Sequence, residues 1–227
     1  MISTRSWTEI EDVRLRIKSE MYARAPEKTF IVAFVGATRR AGTSTMAVAV
    51  ARAFHEAEMR GKTLLLGIAG HGKSVDKIAR ATKPPEPANN DAGFASNRTT
   101  GDMEEKTAYT PAVLQQVKKS KKGFDVLTKE DAQDMRRLFE RNSPFWPEVT
   151  QRYQVAFIDS GTVGSEPHIA AATKADLTLL VVDGTKITRS ELSRLRERLE
   201  QARLMPDGVV LNRKKEYLPR IFRAAVE

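Results

Sequence analysis

The chain has 227 residues, no cysteine and a formal charge of +9, from 38 lysines and arginines against 29 aspartates and glutamates. This length suffices for one α/β domain or two small ones, and the absence of cysteine excludes a disulfide framework and a thiolate metal site. No run approaches the roughly 18 apolar residues that span a bilayer, and the N-terminus lacks the apolar core of a signal peptide. We therefore expect a soluble, cytoplasmic protein. Its charge favours an anionic partner, although a solvated basic surface explains it equally well.

Short β-rich apolar runs alternate with helical patterns, which predicts an α/β fold with a doubly wound, mainly parallel sheet flanked by helices. The predicted strands lie near residues 29–36, 63–68, 124–127, 153–159, 177–183 and 208–212. The predicted helices lie near residues 8–23, 44–60, 73–81, 129–141, 189–202 and 218–225. Residues 82–122 are rich in proline and polar residues and end in a lysine run. We expect them to form a flexible insertion in a single domain that covers residues 1–227.

Directly after the first predicted strand, residues 36–45 read Gly-Ala-Thr-Arg-Arg-Ala-Gly-Thr-Ser-Thr. This is the frame of a phosphate-binding loop, in which backbone N–H groups surround the phosphates, a lysine reaches the β- and γ-phosphates and a hydroxyl holds Mg²⁺. Gly42 and Ser44 occupy their expected positions, whereas Thr43 stands where the lysine belongs. The loop therefore predicts a site for ATP or ADP with Mg²⁺ that lacks its usual cation.

Three other loop residues bear on this prediction. Thr45 supplies a second hydroxyl for Mg²⁺ or for capping the following helix. Arg40 stands where glycine is common, and Arg39 or Arg40 can bring positive charge near a phosphate from a shifted position. From the loop alone, a strand-to-helix turn that binds nothing is an equally good interpretation.

Two polar side chains follow predicted strands at the edge where open α/β sheets bind ligands. Asp159 ends a buried apolar strand in the manner of a carboxylate that orders Mg²⁺ or its water shell. Asn212 ends the last predicted strand, where its amide can read an adenine edge. Either residue can instead serve only in the turn after its strand.

The order of these segments resembles that of the P-loop ATPases of the MinD/ParA type and, more closely, that of the bacterial tyrosine kinases of capsule and exopolysaccharide export. The resemblance extends over most of the chain and includes residues 123–127, 153–159, 175–182 and 208–213. Glu11, Arg14 and Arg16 resemble the helix through which those kinases self-associate, although the spacing of the second arginine differs. The resemblance thus implies self-association through the first helix.

The departures from this family bear on catalysis. Gly67 and Ala69 occupy the places of the two aspartates in the second acidic motif, and only Tyr217 lies where the family has a cluster of acceptor tyrosines. Phosphoryl transfer depends on positioning and on electrostatic stabilisation of the transferred group. Since the loop lysine and both aspartates are missing together, we assign no catalytic residue.

We therefore expect a non-catalytic, cytoplasmic regulatory or scaffold subunit of exopolysaccharide synthesis and export. The resemblance implies that it pairs with a membrane-embedded polysaccharide co-polymerase, which would hold it at the inner membrane. One alternative is an active tyrosine kinase or ATPase in which Arg39 or Arg40 replaces the lysine. A second is a ParA- or MinD-like positioning protein, for which the basic charge gives weak support; we do not expect DNA as the partner.

Overall fold

A computed structural model describes residues 4–25, 28–57, 62–68, 114, 116–120, 122–128, 135–140, 142–201 and 205–213 of the protein. The helices are α1 (Thr4–Arg24), α2 (Thr43–Ala57), α3 (Met135–Leu138), α4 (Phe145–Arg152), α5 (Glu166–Ala172) and α6 (Arg189–Gln201). The strands are β1 (Phe30–Gly36), β2 (Thr63–Gly67), β3 (Lys118–Lys119), β4 (Asp125–Thr128), β5 (Val155–Thr162), β6 (Leu177–Asp183) and β7 (Gly208–Asn212). Within these residues, no helix is both long and apolar enough to cross a bilayer.

The seven strands form one sheet in the order β3-β4-β2-β5-β1-β6-β7. All neighbouring strands are parallel except β3, which pairs antiparallel with β4. From β1, one of the inner strands, the chain moves outward on one side to β2 and β4, returns to β5, and then builds β6 and β7 on the other side of β1. The loop after β1 therefore lies where the strand order reverses, which is where sheets of this kind bind ligands.

Strand β1 is buried on both faces because its side chains alternate between two helical layers. Phe30, Val32 and Phe34 face the cluster that contains residues of α1 and α2. Ile31 and Ala33 face the opposite cluster, which is built mainly from α4 and the neighbouring strands. The sheet is thus the middle layer of three, as the sequence pattern predicts.

The predicted doubly wound, mainly parallel sheet is confirmed. Residues 177–183 form a strand with the predicted bounds, whereas the strand predicted at 153–159 runs from Val155 to Thr162. Tyr153 instead ends α4 and donates a hydrogen bond to Asp125 Oδ2 at 2.9 Å. The helix predicted at 129–141 is helical over Met135–Leu138 among its described residues.

Two helices, α4 and α5, were not predicted. Most of the predicted insertion at 82–122 and the helices predicted at 73–81 and 218–225 lie outside the described residues. The end of that insertion, however, contributes the edge strand Lys118–Lys119. The lysine run is therefore in part a sheet element.

Candidate nucleotide-binding site

The loop between β1 and α2 joins this inner strand to the N-terminus of a helix of 15 residues. Gly42 caps this helix: its carbonyl accepts the first helical hydrogen bond from Met46 N at 2.9 Å. The next residues bring the free N–H groups of the first helical turn to the carboxyl edge of the sheet, an arrangement that favours anions. The predicted strand, loop and helix are therefore in place.

Two loop residues adopt the left-handed backbone conformation. Gly42 has a φ of 92° and Arg40 a φ of 65°. Glycine tolerates this region without cost, whereas a side chain with a β-carbon is strained there. Arg40 and Arg39 are both exposed on the outside of the loop, so the structure places two exposed cations in the loop before the helix N-terminus but none inside the loop.

Thr43, at the position of the missing lysine, faces inward. Its side chain is buried, with the residue 8% exposed, and a β-carbon built on Gly36 would lie 2.5 Å from Thr43 Oγ1. The hydroxyl therefore lies against the backbone at the end of β1, where only a glycine leaves room for it. Thr43 contributes packing beneath the loop instead of a positive charge above it.

Ser44 and Asp159 lie together, as the sequence predicts. Asp159 is 1% exposed, and the Ser44 hydroxyl and the backbone N–H of Gly161 lie close enough to its carboxylate to affect its pKa. Burial raises the pKa of Asp159, and these two neighbouring groups offset part of the rise. Its Oδ1 atom is buried without a hydrogen-bond partner, which makes it an acceptor available to a cation or an ordered water.

These residues fit a Mg²⁺ ion that is shared with a nucleotide. In the described part of the chain, no three carboxylates or histidines converge to hold a metal alone. Mg²⁺ commonly takes one or two protein oxygens and completes its shell with phosphates and water. Asp159 and Ser44 are one such pair of oxygens, and the unpaired Oδ1 atom is the observation that supports it.

The register of the sheet places Gly67 beside Asp159. Asp159 lies in β5, and its register partners on the two flanking strands are Gly67 of β2 and Phe34 of β1. Gly67 is the first of the two residues that stand at aspartate positions in the kinase pattern, and it brings no carboxylate to the site. The second, Ala69, lies outside the described residues.

Asn212 approaches the loop from the other side. Its Nδ2 donates a hydrogen bond to the carbonyl of Ala41 at 2.8 Å, and a β-carbon built on Gly42 would lie 2.1 Å from the same nitrogen. In this conformation one N–H of the amide is used to hold the loop. Asn212 thus connects the end of β7 to the phosphate-binding loop, a contact that the sequence analysis did not foresee.

The remaining residues that the sequence predicts for the nucleotide site or for self-association differ in their exposure to solvent. Thr45 is exposed, whereas Arg14 is 6% exposed and donates hydrogen bonds to Glu11, one turn earlier in α1. Arg14 is therefore part of the packing of its own protomer. The Arg16 side chain is 80% exposed and lies 3.5 Å from a Glu20 oxygen, which makes it the better probe of contacts through α1.

His168 is a buried group near the site that the sequence analysis missed. It is 0% exposed, its Nδ1 accepts a hydrogen bond from Gly164 N at 3.0 Å, and its Nε2 has no partner. Burial lowers the pKa of His168. The sequence did contain a signal for this helix, since Ser165 followed by Pro167 is typical of a helix start.

No protein-family model matches the chain, and no curated protein matches it. Several solved structures match the chain. The chimerical protein CapA2B2 has a TM-score of 0.62 at 17% identity, over 94% of this chain and 87% of that one. The VpsO kinase domain has a TM-score of 0.57 at 18% identity, over 90% and 98%. The BceF tyrosine kinase domain has a TM-score of 0.57 at 15% identity, over 91% and 76%.

The class is thereby defined at the level of fold: the chain has a P-loop NTPase-like fold, with a mainly parallel sheet flanked by helices. More particularly, it has the fold of bacterial tyrosine kinase domains, which confirms the resemblance drawn from the sequence.

Proposed function

We propose that the chain is a non-catalytic, kinase-like regulatory or scaffold subunit of exopolysaccharide synthesis and export. In this proposal it binds ATP or ADP with Mg²⁺ and transfers no phosphoryl group. The observation that supports it best is the inward-facing Thr43 hydroxyl at the lysine position. The same loop keeps Ser44 against a buried, partly unpaired Asp159, so metal anchorage is retained where the loop cation is lost.

The free-energy costs of these replacements favour nucleotide binding over phosphoryl transfer. Removing one preorganised donor from a transition state typically costs roughly 3–4 kcal/mol, about a hundredfold to a thousandfold in rate. Here Thr43 replaces the loop cation, and Gly67 replaces an acidic residue beside Asp159. The helix N-terminus and Asp159 act on the nucleotide before any reaction begins. Binding can therefore persist after transfer is lost.

Titration of the purified protein with ADP and with ATP, each with and without Mg²⁺, tests this proposal. We expect saturable binding that Mg²⁺ strengthens, together with no phosphate release and no tyrosine phosphorylation above a blank. Turnover that disappears in an Asp159→Asn variant would establish the alternative, an active enzyme with Arg39 or Arg40 in place of the lysine. Absence of any binding would reduce the chain to a scaffold without a nucleotide.

A Thr43→Lys variant examines the lysine position directly. A lysine side chain is too long for the space beneath Gly36, so it must turn outward toward the phosphates. We expect stronger ATP binding with a smaller change for ADP, because the lysine of such loops reaches the β- and γ-phosphates. Thr43→Ser is the matched control, since it keeps the inward hydroxyl and adds no charge.

The proposed partner is a membrane-embedded polysaccharide co-polymerase that holds this cytoplasmic chain at the inner membrane. Co-purification of the tagged chain with that protein from membranes of its own cells tests the pairing. Recovery of the tagged chain only from the cytosolic fraction, in cells that produce the polysaccharide, would contradict it.

Self-association through α1 is the remaining part of the proposal, carried by Glu11, Arg14 and Arg16. Arg16→Glu is the informative variant because the side chain is largely exposed, whereas a change at Arg14 alters the protomer itself. We expect a smaller particle by light scattering for Arg16→Glu. An unchanged size, with Arg152→Glu as an exposed control on α4, would contradict a role for α1.

A further inference from the structure

Exposed basic side chains follow one another along the edge of the sheet that is opposite to the candidate nucleotide site. At this amino-terminal edge, each of the five neighbouring strands from β3 to β1 has a lysine or arginine in it or within three residues of its end. All five residues are exposed. We call them the basic row and give them in the order of the strands β3, β4, β2, β5 and β1: Lys119, Lys122, Lys62, Arg152 and Lys28.

Backbone hydrogen bonds hold the middle of the basic row together. Gln154 N donates to the carbonyl of Lys62 at 2.9 Å, and Phe30 N donates to the carbonyl of Gln154 at 2.9 Å. The starts of β2, β5 and β1 therefore lie side by side. Since neighbouring strands are about 4.8 Å apart, the five strands place the row across roughly 19 Å of the edge.

A tight turn sets the outer end of the basic row. Ser120 N donates to the Phe124 carbonyl at 2.8 Å, and Gly123 N donates to the Ser120 carbonyl at 2.9 Å, so β3 and β4 form a hairpin. Gly123 has a left-handed φ of 93°, which glycine adopts without strain. Lys119 and Lys122 are thus fixed on the two sides of one short turn.

Carboxylates of the described residues neutralise the basic row only in part. Asp125, at the start of β4, is partly buried and accepts a hydrogen bond from the Tyr153 hydroxyl at 2.9 Å. Glu148 lies 3.8 Å from Arg152, one turn further along α4. Three lysines of the row form no ion pair with a carboxylate in the described part of the chain: Lys28, Lys62 and Lys122.

The other half of the same edge is compensated. Arg24, in the last turn of α1, donates to Asp207 Oδ1 at 3.0 Å and to a Glu20 oxygen at 2.9 Å. Asp176 Oδ2 accepts a hydrogen bond from Ile31 N at 2.8 Å. Near β6 and β7, acidic groups therefore balance the basic ones, and the excess of positive charge lies on the side of the described edge that runs from β3 to β1.

The composition of the basic row indicates the kind of anion that it fits. Four of its five members are lysines, whose compact charge on a flexible stem attracts anions without a fixed geometry. Tyr153, the aromatic residue beside Arg152, is 7% exposed and its hydroxyl is bonded to Asp125, so it offers no face on which a base could stack. Cations that are spread over five strands suit a broad anionic surface, such as the headgroups of a bilayer.

The direction of the strands sets the orientation that such a contact would give. Because β4, β2, β5 and β1 are parallel, the loop after β1 lies at the opposite end of the sheet from the basic row. The seven residues of β1 extend over about 23 Å. A bilayer that contacts the row therefore leaves the candidate nucleotide site open to the solution.

We propose that the basic row binds the anionic headgroups of a lipid bilayer. This contact is additional to the proposed pairing with a membrane protein, since here the chain contacts the lipid itself. Each basic residue near an anionic surface strengthens binding roughly fivefold, so the row gives a weak, reversible contact that salt screens. Such a contact orients a chain that another interaction already holds at the membrane.

Co-sedimentation of the full chain with lipid vesicles, without nucleotide, tests the proposal. We expect binding to vesicles of phosphatidylcholine and phosphatidylglycerol in equal amounts, and none to vesicles of phosphatidylcholine alone. Lys62→Gln combined with Lys122→Gln should weaken the binding about 25-fold, because each lysine contributes roughly fivefold. Lys186→Gln combined with Arg189→Gln removes the same charge beyond the opposite end of β6. Since those two residues lie more than a Debye length from the row, this control should weaken the binding less than about twofold.

Further measurements separate this proposal from that of the nucleotide site. The Lys62→Gln, Lys122→Gln variant should keep the wild-type melting temperature, because both residues are exposed, and should bind ADP to whatever extent the wild type does. Added salt should release the wild-type chain from the vesicles. Absence of binding to the anionic vesicles, or an equal loss in the two double variants, overturns the proposal. Binding to duplex DNA or to polyglutamate without binding to vesicles would assign the row to a nucleic acid or to an acidic protein, and also overturns it.

Discussion

The loop after β1 has two halves that differ in what they keep. In one half, the Ser44 hydroxyl lies near Asp159 and lowers its pKa, and the Oδ1 atom of Asp159 is buried and unpaired. In the other half, Thr43 faces the backbone of Gly36, and Gly67 lies beside Asp159 without a carboxylate. In the proposed function, anchoring a metal–nucleotide complex and stabilising the transferred phosphoryl group therefore depend on separable residues.

Without a ligand, the residues of the first half lower the stability of the folded chain. A carboxylate that is buried with one unpaired oxygen destabilises the folded state, and the raised pKa of Asp159 records that cost. By contrast, Thr43 fills space beneath the loop and satisfies ordinary packing. The residues that survive in the first half are thus hard to explain by packing, whereas those of the second half are packing residues.

The largest expected effect comes from Asp159→Asn. We expect the enhancement of nucleotide binding by Mg²⁺ to fall by about 10–100-fold, the usual range for loss of a group that supports a metal. Without metal, the same variant should have a higher melting temperature, because a buried charge is removed. Asp183→Asn is the matched control: burial raises the pKa of Asp183, but hydrogen bonds from Thr185 and Arg213 outweigh this and lower it.

The Asp183→Asn control should differ from Asp159→Asn both in melting temperature and in its response to Mg²⁺. Loss of the favourable partners of Asp183 should lower the melting temperature, and Mg²⁺ should still strengthen nucleotide binding. If the two variants respond alike to Mg²⁺, Asp159 has no special role in the site.

Gly42→Ala is expected to have the next largest effect, this time on the fold. A side chain at the left-handed φ of 92° is strained by about 1–3 kcal/mol, and the new β-carbon would also meet Asn212 Nδ2. Chemical denaturation should show a loss of stability of that size. In an Asn212→Ala background the steric part is removed, so the same substitution should cost less; equal costs in both backgrounds would mean that Asn212 does not hold the loop.

Arg40→Gly should have a smaller effect with the opposite sign. Relief of the left-handed strain, less the entropy cost of a glycine, should raise the free energy of unfolding by about 0.5–1 kcal/mol. Arg39→Gly removes the same charge, but its backbone lies outside the left-handed region, and it should lower the free energy of unfolding by a similar amount. Comparison of ATP binding by the two variants also tests whether either arginine replaces the missing lysine.

Much of this architecture could be predicted because the strands are continuous apolar runs with clear ends. The run that ends at Asp183 matches its strand to the residue, and the parallel sheet brings Asp159 and the loop to one edge. The short helices were missed because α4 and α5 each contain a proline, Pro147 and Pro167, which resembles a break when the first turn of the helix is not recognised.

The contact between Asn212 and Ala41 could not be predicted, for a different reason. It depends on which strands are neighbours and on the register that brings the ends of β6 and β7 together, and neither follows from the residues of the two segments. The inward turn of Thr43 is similar, since it depends on the space left by Gly36. The sequence supplies the candidate residues, but the three-dimensional arrangement determines which of them remain available to a ligand.

The smallest expected effect distinguishes two of the buried groups that retain an unpaired atom, Asp159 and His168. Burial lowers the pKa of His168 in the folded state, so below the unfolded value of about 6.5 the unfolded chain binds a proton that the folded chain does not. The free energy of unfolding should therefore fall as the pH drops through 6.5. Burial raises the pKa of Asp159. Its contribution has the opposite sign: the folded chain retains its proton above the unfolded value, and stability falls as the pH rises through the folded pKa. Denaturation between pH 5 and 8 should show a slope that His168→Gln reduces. An unchanged slope in His168→Gln would mean that this imidazole is not held neutral in the folded protein.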